Sequence, residues 1–267
     1  MKEKNGELNR NPPASVRRQL RKEVGFGCPI KDCGNPYLSW HHFDPPWSER
    51  HHHNPEGMIA LCAEHHNKAD NGAYTKKQLR KLKLLGTMQN KKIIGRFDWM
   101  RNHILAVVGG LVFYDQNILF KFNGRPLIWY NRDENGYMLL NVSMLKESGE
   151  PQVIVKDNYW CTNNYPPVDI ESPPSGKLLN IKYKNGDNLK IQFREFKNKQ
   201  ELKRKFPHVD VHNNCWDNRV IFPITVVEIF GKMLGGELIF TPKKFKHRKA
   251  TIAGKFMVGN DIKIRLY

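Results

Sequence analysis

Two periods of apolar residues divide this chain. In residues 76–85, Leu79, Leu82 and Leu85 recur at helical spacing among Lys76, Lys77, Arg80, Lys81 and Lys83. This predicts a basic amphipathic helix, with Thr75 placed to cap its start and Gly86 to end it. A second short, Arg-rich helix is expected over residues 14–24. From about residue 97 onward the apolar runs shorten. Strands are expected at 104–108, 118–122, 127–130, 138–142, 153–155, 178–183, 189–193 and 220–227. They are punctuated by turn pairs such as Asn123-Gly124, Asn135-Gly136 and Asn185-Gly186. Runs 178–183 and 189–193 alternate on both sides of Asn185-Gly186 and form a predicted hairpin. Regular short strands point to an antiparallel sandwich or barrel-like body.

The change in character near residue 90 implies two domains, 1–90 and 91–267, and an α+β fold class. With 267 residues, 39% of them hydrophobic and 11% aromatic, the chain can bury a core in each part. Its charge is lopsided: 44 Lys+Arg against 26 Asp+Glu leave +18. Such an excess suits a polyanionic partner, because cations that meet phosphates release condensed counterions. A membrane fits less well. The longest apolar stretch, 221–240, is broken by Glu228, Lys232 and Glu237, and the first twenty residues lack the apolar core of a signal peptide. The expectation is a cytoplasmic protein with no membrane role.

The chemistry concentrates between residues 28 and 70. Cys28 and Cys33 form one close pair, and Cys62 with His65 forms a second. Two such knuckles separated by a loop are a usual way to build a closed tetrahedral zinc site, structural because no position is left for water. Cys161 and Cys215 stand apart and read as inert thiols. His41-His42 follow the strand-like run 37–40, and His66 follows the second knuckle. Three imidazoles around a zinc-pinned hairpin exceed what structure alone requires. His51, His52 and His53 lie in the loop between and read as a solvated polar turn. Pro45-Pro46-Trp47 reads as a rigid loop that packs its aromatic on the hairpin.

The segment 24–83, less than a quarter of the chain, resembles an HNH nuclease domain of the ββα-metal fold, in the subtype with a zinc-binding rim. Met58-Ile59-Ala60-Leu61-Cys62 matches the apolar run and cysteine of that family, His65 stands where its second cysteine is usual, and His66 where its final histidine stands. The resemblance implies His42 as general base and His41 with His66 as ligands of one divalent cation, magnesium or manganese. Asp70, one turn beyond His66, would be a further ligand. The chain departs from the family at the middle letter: strict spacing puts its Asn, which ties the loop and orients the base, at Gly57. Asn54 is the nearest substitute. The implied activity is hydrolysis of phosphodiesters, in DNA ahead of RNA.

Basic runs also occur at 197–205 and 243–249. Lys243, Lys244, Lys246, Arg248 and Lys249 are candidates for phosphate contact outside the active site, although such runs are ordinarily solvated faces. No motif that reads bases in a groove is present. The competing expectation is a zinc-stabilised nucleic-acid-binding module without catalysis, which would leave His41, His42 and His66 idle. A third makes the β-rich part a sensor, or a platform for a protein partner or a second copy.

Overall fold

The computed structural model describes residues 8–86, 92–162, 166–207, 220–247, 250–253, 256–258 and 265–266. The fold is mixed α+β and mostly strand. It divides into two compact units, one running to Ile93 and including Asp169–Ser175, the other taking Ile94–Val168 and the chain from Gly176.

The first unit opens with helix α1 (Ala14–Glu23), whose Leu20 is fully buried. Strands β1 (Leu38–His42) and β2 (Met58–Cys62) pair antiparallel, Leu38 opposite Cys62 and His42 opposite Met58. Helix α2 (Ala63–Asp70) follows β2 directly, and α3 (Lys76–Gly86) completes the unit. All five residues of β2 are buried, in a core shared with β1 and the three helices. At the start of α3 the Gln78 N–H donates to Thr75 Oγ1 at 3.2 Å, and the Thr75 N–H donates back to Gln78 Oε1 at 2.8 Å. This reciprocal cap is what a Thr-x-x-Gln spacing provides. The lysine-rich face of α3 is partly spent inside the unit. Lys76 and Arg80 both pair with Asp44, and Lys83 pairs with Glu23 at 3.0 Å.

Arg21 of α1 is 5% exposed and donates through Nε and Nη2 to the two carboxylate oxygens of Asp169, at 3.0 and 2.8 Å. This bidentate pair fixes the segment Asp169–Ser175 on the helix although 148 positions separate the partners. Losing one member of a buried pair leaves an uncompensated charge, at a cost of about 3–5 kcal/mol.

In the second unit the strands are β3 (Ile94–Arg96), β4 (Ile104–Val108), β5 (Leu111–Tyr114), β6 (Ile118–Phe122), β7 (Arg125–Arg132), β8 (Met138–Leu145), β9 (Pro151–Lys156) and β10 (Tyr159–Thr162). After β11 (Asp169–Glu171), in the first unit, come β12 (Leu178–Lys182), β13 (Asn188–Phe196), helix α4 (Lys199–Lys205), β14 (Ile224–Met233), β15 (Leu238–Phe240), β16 (Lys244–His247), β17 (Ala250–Ala253), β18 (Phe256–Val258) and β19 (Arg265–Leu266). One sheet runs β19-β6-β7-β8-β9-β10-β3, and a second runs β12-β13-β14-β15-β16-β17 with β4, β5 and β18 joined to it. Phe120 of β6 packs against Phe240 and Phe245 of β15 and β16, ring centres 4.9 and 5.4 Å apart, so the two sheets share a core.

The expected hairpin across Asn185-Gly186 is present, with Leu178 opposite Gln192 and Lys182 opposite Asn188. Most pairs are antiparallel as expected, with three exceptions: β4 runs parallel to β14, β18 to β5, and β19 to β6. β4 also pairs antiparallel with β5 across Gly109-Gly110, both at positive φ. A Cβ on Gly110 would stand 2.3 Å from the Lys243 carbonyl, so glycine there meets both the turn and the close approach. The run expected at 220–227 begins as strand only at Ile224. Among the described residues no helix is long and apolar enough to cross a membrane.

Candidate metal centres

The first knuckle is a tight loop in which the Cys28 N–H donates to Asn35 O, the Cys33 N–H to Ile30 O and the Gly34 N–H back to Cys28 O. The second is the junction of β2 and α2. Cys62 is the extended residue before the helix and His65 lies in the first turn, so their side chains point the same way. Cys33 Sγ stands 3.8 Å from Cys62 Sγ, and His65 Nδ1 stands 3.6 Å from Cys28 Sγ and 3.2 Å from Cys62 Sγ. Around tetrahedral zinc, two thiolate sulfurs are about 3.8 Å apart and a sulfur and an imidazole nitrogen about 3.6 Å. None of the three thiols is in a disulfide. Burial pushes the Cys28 and Cys62 thiols above their ordinary range. A cation drawing them to thiolates would resolve that cost. The buried Cys28, Cys33, Cys62 and His65 group can hold a zinc ion.

His66 follows His65 on α2 and faces the hairpin. Successive residues of a strand point to opposite faces, so His41 and His42 diverge. The His41 ring meets the His66 ring edge-on at 5.2 Å. Asp70, four residues beyond His66, lies on the same helix face. Its two oxygens approach His41 Nδ1 and His66 Nδ1, each at 3.0 Å. His66 Nε2 lies 3.1 Å from Trp40 O. A carbonyl only accepts, so Nε2 carries a hydrogen, and in the neutral ring the Nδ1 lone pair faces a carboxylate. Either a second proton on the ring or a shared cation must satisfy that contact. Ligands at right angles around a small divalent cation are about 3.0 Å apart, and the donor atoms of His41, His66 and Asp70 all lie within 4.8 Å of one another. Burial lowers the pKa of His41, and His66 adds to the effect while Asp70 opposes it.

His42 points the other way, into the loop of residues 43–57. It is 5% exposed and neither ring nitrogen has a hydrogen-bond partner among the described residues. Burial first, then His52 and His53, lowers its pKa to about 4, with the His52 backbone beside the ring opposing the shift. Its ring packs on Trp47, centres 4.7 Å apart. The loop's neck is closed by the Phe43 and Asp44 N–H groups, both donating to Gly57 O at 2.9 and 3.1 Å. Asn54 caps the 3-10 turn Pro55–Gly57, its Oδ1 accepting from the Glu56 N–H at 3.2 Å.

The histidine run departs from the expected solvated turn. His51 is exposed and His53 half-buried, but His52 is buried. Sequence reasoning missed His52 because nothing in a three-histidine run tells which ring turns inward. Lys243, Lys244 and Lys246 are exposed, the last two on one face of β16, alternating with buried Phe245 and His247. Arg248 and Lys249 lie outside the described residues, as does Cys215. Comparisons with protein-family models, with curated proteins and with solved structures find no match to this chain.

Proposed function

We propose that the first unit is a metal-dependent endonuclease domain of the HNH, ββα-metal type, hydrolysing phosphodiester bonds in DNA. The observation that carries this reading is the meeting of His41 and His66 on the two oxygens of Asp70, with the neighbouring His42 buried on the opposite face of β1. A zinc-stabilised binding module would have no use for that arrangement.

His41, His66 and Asp70 would hold a divalent cation, magnesium or manganese, with Cys28, Cys33, Cys62 and His65 holding a structural zinc. The catalytic cation supplies positive charge that neutralises the scissile phosphate and the leaving oxygen. The chain's own contribution centres on His42. A pKa lowered to about 4 leaves the imidazole neutral at physiological pH and able to accept a proton, as a weaker base than an ordinary imidazole. In this reading a water oxygen attacks phosphorus, the water's proton passes to His42, and the phosphorus bond to the leaving oxygen breaks, the departing alkoxide taking a proton from solvent. The +18 charge supports a polyanionic substrate.

The test is incubation of the purified protein with supercoiled plasmid, with and without magnesium or manganese, beside His42→Ala. Cation-dependent nicking that drops by about 10²–10⁴-fold in the variant is the expected result. Equal nicking by both proteins removes His42 from the reaction, and none by the wild type under any divalent cation ends the nuclease reading.

A further inference from the structure

No side chain holds the His42 ring by a hydrogen bond; what surrounds it is the His52 backbone beside the ring and the aromatic rings packed on it, and its orientation depends on these. Trp47 covers it at 4.7 Å, and His52 meets it edge-on at 5.2 Å with the planes 89° apart. Trp47 is itself stacked on His51 and His53, at 4.4 and 5.7 Å. His52 is held differently. Its Nε2–H donates to Pro45 O at 2.9 Å, and its Nδ1 accepts from the Asn54 N–H at 3.1 Å. Both bonds go to backbone, so they fix the tautomer and stop the ring from turning. They also join the outgoing limb of the loop, at Pro45, to the returning limb, at Asn54. The Asn54 side chain is engaged with Glu56, so only its backbone serves this tie. His52 is 8% exposed, which strengthens both bonds by keeping water away.

We infer that His52 is a positioning residue for His42: it pins the loop across Pro45 and Asn54, so that the His42 imidazole stands in one orientation. This rests on the reading of His42 as the proton acceptor. Its consequence is that the chain places the base through a buried, doubly bonded imidazole, while the neck of the loop closes on the bare backbone of Gly57.

The experiment uses the full, zinc-loaded chain in three forms: wild type, His52→Ala and His52→Gln. A glutamine amide offers one donor and one acceptor and can restore the tie, whereas alanine removes both bonds. Zinc content and thermal melting report folding. Proton–carbon spectra of protein labelled at histidine, with the His42 ring assigned through His42→Ala, report the ring's surroundings without any substrate. Nicking rates at saturating manganese give kcat and KM. Expected for His52→Ala are retained zinc, displaced or broadened His42 ring signals, and a kcat lower by on the order of 10- to 100-fold, because a displaced catalytic group loses rate steeply. KM and manganese affinity should stay at wild-type level, and His52→Gln should recover most of both losses. If His52→Ala does not fold, His52→Asn replaces it, since its shorter side chain cannot span both bonds. Unchanged His42 signals and unchanged kcat in the alanine variant overturn the inference, as does a glutamine variant no better than alanine. If the wild type proves unable to cut DNA, the nuclease reading fails and the ring signals alone still decide whether His52 positions His42.

Discussion

Gly57 approaches Asp44 so closely that a Cβ built on it would stand 1.9 Å from the Asp44 carbonyl oxygen and 3.1 Å from His52 Cε1. The obstacle is backbone on one side and a bonded ring on the other, and neither can move aside. This accounts physically for glycine at the position where the resembling family carries asparagine: the loop's neck is drawn too tight for any side chain.

Gly57→Ala should therefore destabilise the first unit by about 3 kcal/mol, the upper part of the usual range for overpacking. Gly57→Asn, although it restores the family's letter, should lower cleavage and stability together. Urea unfolding followed through Trp fluorescence measures the first effect and plasmid nicking the second. A Gly57→Asn protein as stable and active as wild type would mean the neck opens freely.

The candidate zinc site predicts a separate pattern. Protein purified without added metal should contain one zinc per chain, and Cys28→Ser should lose it. Cys28 is buried, and its ligand set links the loop before β1 to the start of α2, so loss of the metal should unfold the first unit. Elemental analysis gives the stoichiometry, and limited proteolysis shows which unit becomes cleavable. A Cys28→Ser protein that keeps its zinc and resists proteolysis would contradict the assignment.

Asp70 separates the two candidate metal sites experimentally. Asp70→Asn keeps the shape of the side chain but removes the charge that faces His41 and His66. Zinc content and melting temperature should hold, while the manganese concentration needed for half-maximal nicking should rise by at least about tenfold, the usual scale for weakening a metal site. Titration of nicking rate against manganese measures it. An unchanged midpoint would assign Asp70 to holding the two rings and not to the cation.

Much of the fold is readable in the chain because the signals are local. Thr75 and Gln78 sit one turn apart, and Asn185-Gly186 lies between alternating runs. Each forms the cap or hairpin expected, since each depends on neighbours within a few residues. The spacing of Cys28, Cys33, Cys62 and His65 likewise sets two knuckles that need only a hairpin to bring them together. What is not legible depends on distant partners. The parallel pairing of Ile104–Val108 with β14 joins segments more than a hundred residues apart, and nothing in either run marks the direction of its neighbour. The turn between β9 and β10 uses Asp157 and Asn158 at positive φ, without the glycine that announces most such turns. The Arg21–Asp169 pair is invisible because either residue alone looks like surface charge. His52 escapes for a related reason: both its bonds go to backbone, and backbone partners leave no trace in side-chain spacing.

The basic strand near the C-terminus gives the last test. In the final 27 residues, Lys243, Lys244, Lys246, Arg248, Lys249, Lys255, Lys263 and Arg265 are set against Asp261 as the sole acidic residue. Lys244 and Lys246 project from one face of β16, and Lys243 stands exposed just before it. Phe245 and His247 point into the core between them, so the two strand lysines are held on a stiff ladder and not on a loose tail. A rigid row of cations loses little freedom on meeting phosphates, and its contribution is electrostatic. Binding of duplex DNA should therefore be salt-steep and indifferent to sequence, and each phosphate left without its cation should flatten the slope of log affinity against log salt by about 0.9. The measurement is a fluorescence titration of cleavage-deficient His42→Ala with labelled duplex at several salt concentrations. The same protein with Lys243, Lys244 and Lys246 changed to Gln should bind every sequence more weakly, with a slope shallower by about two to three units. Substitution by Gln keeps the strand's polar face, so a loss of affinity reports charge and not unfolding. If affinity and slope stay where they were, the run is a solvated face, and whatever the second unit contributes comes from another surface.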